Sequence, residues 1–175
     1  PVPSKTWKRA KDMKWSSAIS IGDNFEATFE QCADAAVTDL DKPASLVVVF
    51  VSAVYSDKFH KVSELLQGYF PKAVALGCSA QGVIGNALEE EKNPAVAITA
   101  GHLPDVNISA FHVTGGNLPS PDDPPEAWAN LVGVLPEDKP KFLVLMEPFS
   151  APGDGLLAGL DFAYPRAVKV GGVAS

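Results

Sequence analysis

Leu46–Ser52 (LVVVFVS) is seven residues of almost unbroken apolar, β-branched sequence. Such a run reads as a strand buried on both faces, the habit of strands that helices cover from two sides. Upstream, Lys42-Pro43 breaks a helical pattern that Asp23 or Asn24 would cap. That pattern runs through Leu40 and sets Phe25, Phe29, Cys32 and Ala36 on one face at three-to-four spacing. Trp15–Ile21 reads as the strand before it. Downstream, Asp57 opens a second helix to about Phe70, which Pro71 stops, and Ala73–Ser79 reads as a third buried strand.

The pattern then changes. Ala95–Ala100 and Val106–Thr114 read as strands, and His102–Asp105 between them suggests a hairpin. Gly115–Pro125 is a loop rich in proline and glycine, long enough to be mobile or functional. Glu126–Leu135 reads as a short helix, Phe142–Met146 as a buried strand, Pro148–Pro152 as a turn, Asp154–Ala163 as a helix and Ala167–Val170 as the last strand. The resulting order, β-α-β-α-β-β-β-α-β-α-β, predicts an α/β fold. Its mixed, largely buried sheet has flanking helices and a central antiparallel hairpin or meander. The closing Gly171-Gly172-Val173-Ala174-Ser175 looks like a strand exit that feeds something further, so the chain is expected to be a portion of a longer protein.

Of the 175 residues, 46% are hydrophobic and 20% charged, as in an ordinary soluble domain with a sizeable core. No run of eighteen apolar residues exists, so no membrane span is expected. The net charge of −7 is uneven. Residues 1–14 hold Lys5, Lys8, Arg9, Lys11 and Lys14 against Asp12, a local +4, which leaves −11 for the remainder. That acidic body disfavours nucleic acid and anionic membranes. Residues 1–14 read as a basic flexible leader and 15–175 as the domain. The expected compartment is the cytoplasm, with an organelle interior after removal of a transit peptide as the alternative.

Two segments carry the candidate chemistry: Gly77–Gly85 (GCSAQGVIG) and Val170–Ser175 (VGGVAS). Each follows an apolar run and turns into small residues, as chains do where the backbone passes close to another backbone or to a ligand. Gly77-Cys78-Ser79 fails the nucleophile-elbow pattern, because Gln81 stands where Gly is required. A Cys78 nucleophile needs a base, and His60, His102 and His112 are scattered over a helix pattern, a turn and a strand. Cys78 as a small packed residue is the simpler reading, and whether it pairs with Cys32 stays open. The glycines lack the Walker Lys-Ser/Thr and the GxGxxG spacing, so a dinucleotide site is not expected. Glu89–Glu91 and Asp122-Asp123 read as solvated turns. No cofactor or metal site is expected, and each lone histidine reads as an ordinary residue rather than a haem ligand.

Trp15–Ser20, Leu46–Ser52, Leu76–Gly85, Glu147–Ser150 and Val170–Ser175, in that order, resemble the N-terminal half of the FIST domain (F-box and intracellular signal transduction). The resemblance spans residues 15–175, and Gly77–Gly85 is its most specific part. It implies a non-catalytic sensory domain that binds a small metabolite such as an amino acid and relays that state in signal transduction. It also implies a partner, either the C-terminal FIST half or another protein. The alternatives are a protein-interaction module and, further off, a haem sensor or a thiol or serine hydrolase. The expected ligand site joins backbone amides at Gly77, Gly82, Gly171 and Gly172 to Cys78, Ser79, Gln81 and Ser150, with Phe149 as an apolar wall.

Overall fold

A computed structural model describes residues 12–120, 122–147, 149 and 153–174. Most of the basic leader, most of the Pro148–Pro152 turn and the terminal Ser175 therefore lie outside the described residues. The chain divides into two compact units. The first comprises residues 1–76 and 82–107; the second comprises 77–81 and 108–175.

The first unit is built on a four-stranded sheet. Its strands are β1 (Lys14–Ile21), β2 (Leu46–Ser52), β3 (Val74–Ala80, which belongs to this unit only as far as Leu76) and β6 (Ala95–His102), in the order β1-β6-β2-β3. β6 pairs antiparallel with β1, opposing Ala18 to Ile98, and antiparallel with β2, opposing Val49 to Ile98. β1 and β2 therefore run the same way on either side of it. Helix α1 (Phe25–Leu40) covers one face. Asn24 caps it by accepting from the Ala27 amide at 2.9 Å, and Asp41 ends it in a left-handed turn. Phe25, Phe29, Cys32, Ala33, Ala36 and Leu40 then bury themselves against Ala18, Val47, Val49, Val51, Val96, Ile98 and Ala100. Polar groups beneath the helix are satisfied: the Ser16 hydroxyl donates to the Ala36 carbonyl at 2.8 Å, and the Cys32 thiol to the Val96 carbonyl at 3.3 Å.

Three expectations for this unit need correction. β2 is fully buried only at Val47, Val49, Val51 and Ser52; Leu46, Val48 and Phe50 on its other face are half-buried. β3 is an edge strand, so no residue of it is fully buried, and Ala75 and Gly77 are exposed. The second helix splits into a 3-10 segment (Ala53–Lys61) and α2 (Val62–Tyr69). A short hairpin, β4 (Val83–Gly85) with β5 (Leu88–Glu90), was not expected from the sequence. Asn86 and Ala87 form its tip with φ of 47° and 61°, the conformation two-residue hairpins favour. An added Cβ on Gly85 would lie 2.7 Å from the Ala18 carbonyl oxygen, so glycine lets β4 pass directly over β1.

In the second unit, α3 (Pro125–Val132) and α4 (Gly153–Ala163) pack on a parallel pair, β7 (Phe142–Met146) and β8 (Lys169–Val173). Trp128, Val132, Phe142, Val144, Leu156, Leu160 and Tyr164 form the core. Gly159 admits the Trp128 ring, which comes within 1.9 Å of where a Cβ would stand. Val106–Thr114 is not a strand. Its rough alternation arises because Phe111 and Val113 pack on this core while the backbone joins no ladder. The antiparallel hairpin of the fold is thus β4–β5, not a pairing through His102–Asp105. Gly171-Gly172 is not a turn beyond the last strand either. Both residues lie within β8, opposite Val144 and Leu145. An added Cβ on Gly171 would lie 1.7 Å from the Val144 carbonyl oxygen, so the strands meet there without room for a side chain.

These contacts separate three glycine substitutions. Gly171→Ala and Gly159→Ala should each destabilise by about 1–3 kcal/mol or more, because backbone or a buried indole must move. Gly68→Ala, in α2 with nothing within 4 Å of the new Cβ, should stabilise by up to about 1 kcal/mol. Urea midpoints of the three variants check the order.

Candidate functional site

The expected site residues fall on three segments. Gly77, Cys78 and Ser79 lie on β3, with Gly77 exposed and the other two half-buried; Gln81 is exposed in the bend that follows. Gly82 sits in the first unit, and a Cβ there would approach Glu91 Cγ to 3.0 Å, so its glycine is accounted for by packing against the hairpin. Gly77–Gln81 belong to the second unit, as do Phe149, Gly171 and Gly172. Ser150 lies outside the described residues.

Within the second unit the parallel register sets the geometry. Met146 opposes Val173, and the Ala174 amide donates to the Met146 carbonyl at 2.6 Å. The carboxyl ends of β7 and β8 therefore lie side by side. The chain leaves β7 through Glu147 and Phe149 toward α4. Carboxyl ends of parallel strands are where α/β sheets expose loop backbone to ligands. Phe149 is 93% exposed, and its amide donates to Glu147 Oε1 at 3.0 Å, folding the exit loop back on itself. The adjacent glycines differ in kind. Gly171 is required by the approach of β7, whereas a Cβ on Gly172 would meet nothing within 4 Å.

The thiols are free and not activated. Burial raises the pKa of Cys32 from 9.0 to about 11, and burial also raises that of Cys78. Both are therefore protonated at neutral pH, the opposite of what a nucleophilic cysteine needs. His60 and His112 are exposed, and His102 holds Nδ1 2.8 Å from the Pro43 carbonyl. Among the described residues no group of three or more His, Cys, Asp or Glu could hold a metal ion. No helix among them is long and apolar enough to cross a membrane.

Two carboxylates that read as solvated do local structural work. Glu90 accepts from the Asn93 amide at 2.7 Å, the Lys92 amide at 2.8 Å and Asn93 Nδ2 at 3.1 Å, and these bonds hold its pKa below the ordinary carboxylate range. Asp123 accepts from the Ser120 amide at 2.7 Å and closes the proline-rich loop. Glu147, at the end of β7, was not singled out for chemistry by sequence reasoning.

A family model described as the FIST N domain matches residues 45–175, well over half of the chain. The match begins at β2 rather than at residue 15, so β1 and α1 precede it. No curated protein matches the chain.

The raised Cys32 pKa has a measurable consequence at alkaline pH. The unfolded thiol ionises near 9.0 and the folded one near 11, so above pH 9 the unfolded state releases its proton first. Folded stability should fall as pH rises through that window, by about 2–3 kcal/mol when complete. Cys32→Ala should lose this component. The difference between wild-type and variant denaturation curves at pH 7 to 11 isolates it from other alkaline groups.

Proposed function

The chain belongs to the FIST N domain family, whose members are sensory domains of signal transduction; on that premise we propose that it binds a small polar metabolite, such as an amino acid, and passes the bound state to a partner. The partner is the C-terminal FIST half or another protein, and the expected compartment is the cytoplasm. The reading rests on one observation. The carboxyl ends of β7 and β8 lie side by side, with the open side of Gly172 and the exposed Phe149 next to them. Backbone amides there supply donors without a side chain in the way, and Phe149 supplies apolar surface. Gly77, Cys78, Ser79 and Gln81 belong to the same compact unit and contribute hydrogen-bonding groups from β3 and its bend. The role is non-catalytic: the protonated Cys78 acts as a small wall rather than a nucleophile.

A second reading has its own support. Phe149 (93% exposed) and Val173 (63%) present apolar surface at the same strand ends, and Val170 (57%) adds more toward the start of β8, as a protein-interaction module would.

Thermal denaturation against a panel of amino acids and small metabolites distinguishes the two. A metabolite at about 100 times its Kd should stabilise the chain by about 2.7 kcal/mol. Ser79→Ala and Gln81→Ala, both at positions that are not fully buried, should weaken that shift while leaving the unliganded melt near wild type. No shift with any compound overturns the metabolite reading and leaves the interaction reading standing.

A further inference from the structure

The outer edge of β1 points to a second copy of this chain. Among the described residues β1 has one strand neighbour, β6. The Gly22 amide donates to the Pro94 carbonyl at 3.0 Å and continues that ladder, so even-numbered residues of β1 turn their amides and carbonyls toward β6. Trp15, Ser17, Ile19 and Ile21 turn theirs outward. The edge is eight residues long, contains no proline, and carries one charge, Lys14, at its end. Long edges of this kind are templates for pairing unless charge, proline or a bulge blunts them.

We infer that two copies join through antiparallel β1–β1 pairing about a two-fold axis at Ala18. In that register Trp15 opposes Ile21 of the other copy, Ser17 opposes Ile19, and Ala18 opposes Ala18. Every opposed odd-numbered pair exchanges outward amides and carbonyls. The register also brings together the two large apolar residues that β1 leaves half in water, Trp15 (50% exposed) and Ile21 (49%). Leu88 (57% exposed) adds apolar surface beside them, because the hairpin tip is tied to β1 by the Asn86 amide donating to Ser17 Oγ at 3.1 Å.

The helix layer is compatible with the same contact. One flank of α1 faces α2: Glu26 bonds Lys61, and the Tyr69 pKa is raised by burial and then by the charges of Asp34 and Glu30. The opposite flank presents the exposed Gln31, Ala35 and Thr38, which are uncharged, and one exposed carboxylate, Asp39, a turn beyond Ala35. Eight residues span about 27 Å, and a helix layer on a sheet is about 20 Å deep; the footprint of roughly 540 Å² per partner is below the roughly 800 Å² of a standard interface, the size expected of a dimer that dissociates on dilution.

Sedimentation equilibrium of the whole chain over a wide concentration range tests the pairing. The wild type should be a dimer that dissociates on dilution. Residue-resolved hydrogen exchange should show the amides of Trp15, Ser17, Ile19 and Ile21 slowing as concentration rises. Ile21→Lys, at a half-exposed position, should give a folded monomer by circular dichroism and sedimentation. A wild type that stays monomeric overturns the inference. So does a dimer that persists in folded Ile21→Lys, or outward β1 amides that exchange at one fast rate at every concentration.

Discussion

The approach of Gly171 to the Val144 carbonyl fixes the second unit. At 1.7 Å from that oxygen no Cβ can exist, so the two strands close to a distance only glycine permits. The contact sets the parallel register from Phe142 opposite Lys169 to Met146 opposite Val173. That register in turn decides that the strand ends emerge together, with Glu147 and Phe149 following one and Ala174 following the other. Any ligand or partner chemistry at those ends is inherited from the pairing. α4 holds the crossover in place through Leu156 and Leu160, and Lys169 reaches back to Asp161 Oδ1 at 2.7 Å and to the Tyr164 carbonyl at 2.9 Å.

The first unit follows a different economy. β6 is built mostly from small or β-branched residues, and all its positions except Thr99 and His102 are buried. Val96, Ile98 and Ala100 face α1. Ala97 and Gly101 on the other side are small enough for the hairpin and the Trp15 indole to lie close above. Trp15 ring carbons come within 2.7 Å of where a Gly101 Cβ would stand. A large side chain at Gly101 would lift that indole off the sheet. The strand interior therefore encodes layer spacing as much as hydrophobicity.

Much of this was legible. Leu46–Ser52 and Phe142–Met146 have the same bounds in sequence and structure, and the α1 stripe names its own core residues. Those signals are periodic and local. The misreadings have physical causes. An apolar run shows that a strand can be buried and does not show whether a neighbour arrives, so β3 reads as a buried strand although it lies at the sheet edge. Alternation in Val106–Thr114 records core contact, which a strand and an unpaired extended segment satisfy equally. The β4–β5 tip uses Asn86-Ala87, and alanine at positive φ carries no turn signature. The site was legible only as residue types. That Gly171 serves the backbone while Gly172 stands open depends on which neighbour each faces, and two identical letters cannot carry that distinction.

The pair Gly171-Gly172 also bears on what kind of site the strand ends form. A structural glycine alone would need no second glycine beside it, since β8 could carry any β-former at the position opposite Leu145 without steric conflict. Glycine in a strand interior loses more conformational freedom on folding than any other residue, and at Gly172 no packing gain offsets that cost. The same strand ends carry Phe149, an aromatic left almost wholly in water. Uncompensated cost at Gly172 and Phe149 supports the proposal that these strand ends are shaped for an occupant rather than for folding. On that proposal the open glycine would admit close approach to main-chain donors, and the aromatic would give the occupant something to lie against.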